Sequence, residues 1–195
     1  MIRLADERGG VIAKLLGLLL VLAICASAAV YVYGKREQPL SVEDAHVATS
    51  DGQRNPATVD VAPGRTIYVA TIVHNDGRLP VTLEGLAPAA TDPTDAYVPI
   101  SIALGDGKTP NPANGAFVPP SLGPGTGIGV VVTYAVNPNL SCAHFDHTPS
   151  DPTPFPPLPL RLSTYGVDAT QIVPFAHGAP TVSGITRTSC ERALR

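Results

Sequence analysis

The hydrophobic positions of this chain form one long apolar run, followed by a series of short ones. The long run covers residues 15–33, nineteen residues without a charged side chain. A helix of that length rises about 28 Å, close to the thickness of the hydrocarbon core of a bilayer. Ten of its residues are Leu, Ile or Val, and together they favour insertion by roughly 3 to 6 kcal/mol. The pattern predicts a single transmembrane helix over residues 15–33.

A cleaved secretory signal is the alternative interpretation of this run. Residues 15–24 would then form the apolar region, and Ala26-Ser27-Ala28 would supply the small residues of the cleavage site. Apolar residues continue beyond that site, and a mature chain that began at Ala29 would expose an apolar tail. This continuity favours an uncleaved anchor, and both interpretations place the rest of the chain outside the cytoplasm.

The predicted anchor divides the chain into four segments. Residues 1–14 are expected to be a cytoplasmic tail, residues 15–33 the membrane helix, residues 34–41 a polar stalk and residues 42–195 one extracytoplasmic domain. Basic residues are slightly more frequent before the span than after it, which favours a cytoplasmic N-terminus and a single-pass topology. The expected partners are the lipid bilayer, through residues 15–33, and an unidentified envelope protein or cell-wall component.

Beyond the apolar run, hydrophobic segments are short, rich in β-branched residues and bounded by Pro, Gly and Asn, as is typical of strands. Predicted strands cover residues 42–48, 57–61, 66–73, 79–83, 97–104, 128–136, 158–165, 171–175 and 181–188. The strand at 66–73 is apolar on both faces and is predicted to be central and covered on both sides, whereas Pro99 places its own strand near a sheet edge. The number and spacing of these segments predict an all-β fold, an Ig-like antiparallel β-sandwich that follows the single transmembrane helix.

The tripeptide Asn75-Asp76-Gly77 lies between two of these strands. Asn, Asp and Gly tolerate positive φ and are the preferred residues of tight hairpin turns. We therefore expect the strand at residues 66–73 to pair with the strand at residues 79–83.

Residues 69–83, with the sequence VATIVHNDGRLPVTL, resemble a hairpin of extracytoplasmic Ig-like domains. Those domains occur in membrane-anchored, mostly uncharacterised proteins of actinobacterial type. The later Leu122-Gly123-Pro124-Gly125 is similar to their Leu-x-Pro-Gly lead into a strand. The resemblance implies an Ig-like fold and an extracytoplasmic location, and it assigns no catalytic residue.

Composition and motifs narrow the function. The net charge is −3 and the basic residues form no stripe, so a nucleic-acid partner is not expected. Trp is absent and aromatic residues make up 5% of the chain, which disfavours carbohydrate binding. The sequence has no Gly-x-Ser-x-Gly elbow, phosphate-binding loop, His-Glu-x-x-His helix or Cys-x-x-Cys pair. We expect a binding or structural module of the cell envelope, with no catalytic residues and no cofactor.

Two cysteines lie beyond the apolar run, Cys142 and Cys190. An even number of cysteines in an extracytoplasmic domain predicts a disulfide. The loop that it closes, about 48 residues long, corresponds to roughly 4 kcal/mol of stabilisation in the chain-entropy model.

The segment after the first of these cysteines suggests an alternative function. His144, Asp146 and His147 are candidate metal ligands, so the chain is alternatively a metal-binding or redox envelope protein that uses this loop. Cys142 and His147 have the spacing of one edge of a blue-copper site, but Met1, the one methionine, precedes the apolar run. We favour a polar loop without metal, followed by a stiff connector with six prolines at residues 149–159.

Overall fold

The structure, a computed structural model, describes residues 3–43, 45–50, 66–88, 92–110, 117–145, 153–176, 181–182 and 186–195. Its first element is the helix α1, Arg3–Arg36. Within α1, the segment Lys14–Tyr33 is long and apolar enough to cross a membrane, and none of it is buried against the rest of the protein. The helix extends beyond residues 15–33 at both ends. It begins within the predicted tail and ends within the predicted stalk.

The elements after α1 are strands, one 3-10 turn and one short helix. The strands are β1 (Leu40–Val42), β2 (His46–Thr49), β3 (Thr66–Asn75), β4 (Val81–Leu86), β5 (Tyr97–Leu104), β6 (Ser121–Leu122), β7 (Gly127–Val136), β8 (Thr153–Pro154), β9 (Leu158–Thr164), β10 (Val167–Val173) and β11 (Thr181–Val182). The 3-10 turn, Cys142–Phe145, follows β7, and the helix α2, Arg187–Ala193, lies near the end of the chain.

Most strands belong to two antiparallel sheets. The first sheet has the order β1-β3-β7-β5, with β2 also paired to β3, and the second has the order β10-β9-β4-β6. Strands β8 and β11 form a separate two-stranded ribbon. The predictions that β3 is central and that β5 lies at an edge are therefore confirmed, as is a mostly β fold preceded by one apolar helix.

The two sheets share one hydrophobic core. Along β3, residues mostly alternate between buried and partly exposed positions, as expected of a strand with one face toward a core. The prediction that both faces of this strand are covered is therefore wrong. The buried cluster draws apolar side chains from both sheets, among them Ile67, Val69, Val130, Val132 and Tyr134 from the first and Leu83, Leu158, Leu160 and Leu162 from the second. Each fully buried aliphatic side chain stabilises the fold by about 1.5 to 3 kcal/mol.

The predicted hairpin between residues 66–73 and 79–83 is wrong, because β3 and β4 lie in different sheets. Both edges of β3 are occupied, by β1 and β2 on one side and by β7 on the other. Asn75, which is fully buried, donates hydrogen bonds to the carbonyls of Leu79 and Leu122, both at 2.9 Å, and accepts one from Gly77 N–H. The segment after Asn75 is a crossover between the sheets.

Two further boundaries differ from prediction. The predicted strand at residues 42–48 is divided between β1 and β2. Within the predicted strand at residues 181–188, residues 181–182 are extended, whereas residues 187–188 belong to α2, which Thr186 caps through reciprocal hydrogen bonds with Ser189. Residues 183–185 lie outside the described residues. The predicted strand at residues 57–61 lies outside the described residues.

Candidate functional site

A shallow apolar groove lies where residues of both sheets meet at the surface. Its walls come from β5, from the segment that leads into β9, and from β10. We call it the proline groove, and its lining residues are Asp95, Val98, Pro99, Pro156, Pro157, Pro159 and Ile172. Strands β5 and β10 are the edge strands of their sheets, so the groove opens beside two strand edges.

The size of the groove limits what it can hold. Its volume is about 120 Å³, whereas sites for drug-sized ligands usually measure about 300 to 1,000 Å³. A single side chain of a partner fits such a volume, and a cofactor does not.

Prolines and aromatic packing make this groove a pre-formed surface. Proline fixes its own φ and has no N–H to donate, so Pro99 is tolerated on an edge strand, where it adjoins a break in register. Beneath the groove, the Phe155 ring stacks on Tyr97 at 5.7 Å and meets Tyr134 edge-on at 4.9 Å. The Tyr134 hydroxyl donates a hydrogen bond of 3.4 Å to the Pro156 carbonyl.

Among the described residues that line the groove, Asp95 is the ionisable one, and it is half-buried. Burial raises the pKa of this carboxyl, and the nearby charge of Asp92 raises it further. Within the part of the chain that the structure describes, no side chain or main-chain donor binds the Asp95 carboxylate. The pKa of the buried Tyr134 is also raised, first by burial and then by the charge of Asp95. The groove thus combines apolar walls with an acid that has no counter-ion among the described residues.

Asn137 holds the loop that carries this acid. Its side chain is fully buried and donates to the carbonyl oxygens of Asp92, at 2.8 Å, and Asp95, at 2.9 Å. Its own oxygen accepts from the Asn139 N–H. Asn137 therefore bonds to three main-chain groups near the end of β7, one of them the Asp92 carbonyl, which also accepts from Asp95 N–H, and it fixes Asp95 at the groove.

The predicted disulfide between Cys142 and Cys190 is present, with an S–S distance of 2.03 Å and a Cα–Cα distance of 5.6 Å. It links the 3-10 turn after β7 to α2, in which Cys190 is fully buried. A sulfur atom bonded in this way is not a thiolate, so Cys142 does not provide the thiolate that a blue-copper site requires.

The remaining metal candidates are only partly described. His144 lies in the 3-10 turn, whereas Asp146 and His147 lie outside the described residues. The described ranges hold no group of three or more His, Cys, Asp or Glu residues arranged to bind a metal ion. The metal site at His144, Asp146 and His147 stays a prediction.

Such a site needs further ligands, for which His46, His74 and His177 are the sequence's other candidates, and His177 lies outside the described residues. His74 Nε2 lies 2.8 Å from Glu43 Oε1, and its ring covers Gly127 on the neighbouring strand. His46 pairs with Ala70, four positions along β3 from His74. At about 3.4 Å per residue the two strand positions are roughly 13 Å apart, so the structure does not bring the two histidines together.

Asp95 and Asn137 are site residues that no sequence pattern predicted. Asp95 lies in a polar segment with no recognisable motif, and Asn137 looks like an ordinary residue at the end of a strand. The cluster of prolines at residues 149–159 was the sequence feature that could have indicated the groove, because its last three prolines line it. Their neighbours Phe155 and Leu158 are buried, so this part of the segment packs into the domain as a wall of the groove.

Comparisons of the chain with protein-family models, with curated proteins and with solved structures find no match.

Proposed function

We propose that this protein is a membrane-anchored binding module of the cell envelope, without catalytic activity. Residues 15–33 cross the bilayer, residues 1–14 are cytoplasmic, and the β domain is extracytoplasmic. The domain has an Ig-like sandwich fold and binds an envelope protein by taking one of its lysine or arginine side chains into the proline groove.

The observation that carries the anchoring proposal is the exposure of α1. Leu16, Leu19 and Leu20 are each at least 62% exposed, and the whole segment Lys14–Tyr33 lies outside the protein core. A core helix buries such residues against its own domain, whereas a membrane helix buries them in lipid. The exposure therefore supports a helix in the bilayer.

Two features support the rest of the topology and the fold. A disulfide such as Cys142–Cys190 persists in oxidising compartments, which agrees with an extracytoplasmic domain. Two antiparallel sheets that share one core are the architecture from which Ig-like sandwiches are built.

The chemistry of the proline groove supports a basic side chain as its occupant. Lysine and arginine combine an apolar stem with a cationic head. The stem matches the walls formed by Pro99, Pro156 and Ile172, and the head matches the carboxylate of Asp95. A half-buried carboxylate without a counter-ion gains from such a partner, because the ion pair offsets its desolvation.

Extraction of native membranes with alkaline carbonate tests the anchoring. The full chain should stay in the membrane fraction, and N-terminal sequencing should place its start upstream of residue 15. A mature chain that begins at Ala29 and leaves the membrane would contradict the anchor.

A peptide array tests the groove. Short peptides that differ only in a central Lys, Arg, norleucine or Glu are probed with the full chain in detergent micelles. The wild type should bind the Lys and Arg peptides best, because norleucine keeps the apolar stem and lacks the charge. Asp95→Asn should remove this preference, whereas Asp168→Asn, a change of an exposed acid on β10, should keep it. Equal binding of Lys and norleucine peptides by the wild type, or binding to purified cell wall alone, would contradict a basic side chain as ligand.

The alternative, a metal-binding or redox protein that uses His144, Asp146 and His147, stays a prediction. Metal analysis of the purified full chain tests it, with His144→Ala/His147→Ala as the control.

A further inference from the structure

The connection between α1 and the β domain is short and held by hydrogen bonds. Only residues 37–39 separate the end of α1 from β1. The Pro39 carbonyl accepts a hydrogen bond of 2.7 Å from Asp76 N–H, and the Tyr33 hydroxyl accepts one of 3.0 Å from Arg78 N–H. Three residues extend at most about 10 Å, so the domain begins directly at the end of the helix.

The turn between β9 and β10 lies beside the helix. A cleft there is lined by Ala26, Ser27, Val30 and Tyr31 of α1 on one side, and by Tyr165 and Val167 of the hairpin on the other. The four helix residues belong to the apolar segment Lys14–Tyr33. We call residues 165–167 the hairpin tip.

The height of the hairpin tip along the helix follows from the helical rise. Val30 lies about 5 Å and Ala26 about 10 Å before Tyr33, at 1.5 Å per residue. The headgroup region occupies about 5 to 8 Å on each side of a bilayer, outside a hydrocarbon core of about 30 Å. Residues 15–33 are about as long as the hydrocarbon core is thick, so Tyr33 lies near its boundary with the headgroups. A hairpin tip at the level of Val30 to Ala26 therefore lies about 5 to 10 Å inside that boundary, among the uppermost acyl chains.

Tyr165 has an unfavourable backbone conformation for its residue type. Its φ is +48° and that of Gly166 is +80°, and positive φ at both central residues of a two-residue turn is the pattern for which Asn-Gly is preferred. A left-handed conformation costs a residue other than Gly roughly 1 kcal/mol. The side chain is 67% exposed, so packing within the domain does little to offset this cost. Tyrosine is, however, one of the two residue types enriched at the membrane–water interface.

We infer that the hairpin tip is a second membrane contact, in which Tyr165 lies beside Tyr31 of α1, just inside the boundary between the headgroups and the acyl chains. This inference rests on the proposed membrane anchoring of α1. The exposed Arg78, next to the helix end, supports it, because a guanidinium at this level can pair with the phosphate groups of lipid headgroups. Two contacts, the helix and the tip, fix the tilt of the domain on the membrane.

The absence of Trp from the chain allows a direct test. Tyr165→Trp introduces a single indole at the hairpin tip. The control is Ile100→Trp, also at an exposed apolar residue, on β5 of the first sheet. Ile100 lies opposite the Thr133 and Tyr134 positions of β7, at least six residues from Gly127 at the helix end of the sheet, or about 20 Å.

Both full-length variants are reconstituted into phosphatidylcholine–phosphatidylglycerol vesicles that carry bromine either high or deep on the acyl chains. Shallow bromines should quench the indole of the Tyr165→Trp variant, deep bromines should quench it less, and the indole of the Ile100→Trp variant should keep its emission. Flotation of the vesicles is measured on the same samples, and unfolding in detergent confirms that each variant is folded. Val167→Trp is a second reporter for the tip if Tyr165→Trp does not fold.

The possible results separate the two proposals. A protein that floats with the vesicles, but whose tip reporter is quenched no more than the reporter of the Ile100→Trp control, overturns the membrane contact of the tip and leaves the anchor standing. A protein that does not float overturns the anchor, and the inference about the tip fails with it.

Discussion

The side-chain amide of Gln171 pairs with both main-chain groups of Leu40. Leu40 N–H donates to Gln171 Oε1 at 2.9 Å, and Gln171 Nε2 donates to the Leu40 carbonyl at 2.6 Å. The two residues are 131 positions apart and belong to edge strands of different sheets. Both are buried, so Gln171 replaces the water that these groups would otherwise need and joins the two sheets at this corner.

Gln171→Leu should lower the free energy of unfolding by about 2 to 4 kcal/mol, because it leaves the buried N–H and C=O of Leu40 unpaired. For a chain of this size the melting temperature should fall by roughly 5 to 15 °C. Thermal unfolding of the full chain in detergent measures the change. Thr170→Leu, at the exposed neighbouring position, is the control and should have little effect. Equal melting temperatures for the two variants would show that the pair is not stabilising.

Asn75→Asp and Asn137→Asp should both destabilise the protein, by about 2 to 4 kcal/mol, because each replaces a buried amide that donates two hydrogen bonds with a buried carboxyl that cannot donate them. Their effects on binding should differ. Asn137 fixes the loop that carries Asp95, whereas Asn75 lies at the other sheet end, so only Asn137→Asp should weaken binding of the lysine peptide. Peptide binding measured below both melting temperatures checks this, and equal loss in both variants would argue against a positioning role for Asn137.

The stability should depend on pH through Asp95. Its pKa is raised in the folded state, so the native protein binds this proton more tightly than the unfolded chain, and stability falls as pH rises from about 4 through the folded pKa. Asp95→Asn should therefore raise the melting temperature at pH 7, and the gain should vanish in acid below the unfolded pKa. Melting curves across this pH range measure the effect, and a gain that persists in acid would exclude the charge as its cause.

The pKa of Asp106 is shifted in the opposite direction to that of Asp95, so its effect on the pH dependence of stability should also be opposite. Hydrogen bonds from the Thr109 hydroxyl and from the N–H groups of Lys108 and Thr109 lower its pKa to about 2. Its stabilising contribution is present above the unfolded pKa and is lost as pH falls toward 2. Asp106→Asn should therefore lower the melting temperature at neutral pH, in contrast to Asp95→Asn.

Gly129→Ala should destabilise the protein by about 1 to 3 kcal/mol. The loop after β5 crosses directly over Gly129, and an added Cβ would lie 2.5 Å from both the Gly105 carbonyl oxygen and the Asp106 carbonyl carbon. These are main-chain atoms, so the whole loop has to move. Gly123→Ala is the matched control, because its nearest neighbour would be Thr126 Cγ2 at 3.7 Å. Similar melting temperatures for both variants would contradict the close approach of the loop.

Cys142→Ser/Cys190→Ser should lower the free energy of unfolding by roughly 4 kcal/mol, the loop-closure value for the 48 residues between the cysteines. Cys25→Ser should leave it unchanged, because that cysteine is exposed on α1 and unpaired. Mass spectrometry of a non-reduced digest should show the linked peptides. Alkylation of both thiols in protein purified without reductant would contradict the bond.

The sequence by itself determined the helix and most strand positions. A nineteen-residue uncharged run is a local property, and the alternation along β3 and the apolar character of β7 follow from the faces those strands bury. The disulfide was also predictable, since only two cysteines follow the apolar run. The cap of α2 is also a local feature, because Thr186 and Ser189 are three positions apart, although the β-branched residues of this stretch favoured the prediction of a strand.

Only the tertiary structure decided which strands are neighbours. A period of two fixes which face of a strand is buried, but it does not say which edge remains open for pairing. Strand β3 pairs with β7, about sixty residues away. At the end of β3, Asn75 donates to the Leu122 carbonyl, and the chain after it crosses to the other sheet instead of returning along β3. The proline groove depends on this pairing, because it brings Asp95 next to Ile172 from a distant part of the sequence. Gln171 bonds to Leu40 because the folded chain leaves the N–H and C=O of Leu40 buried at the corner between the sheets. Which main-chain groups need such a partner is a property of the assembled sheets.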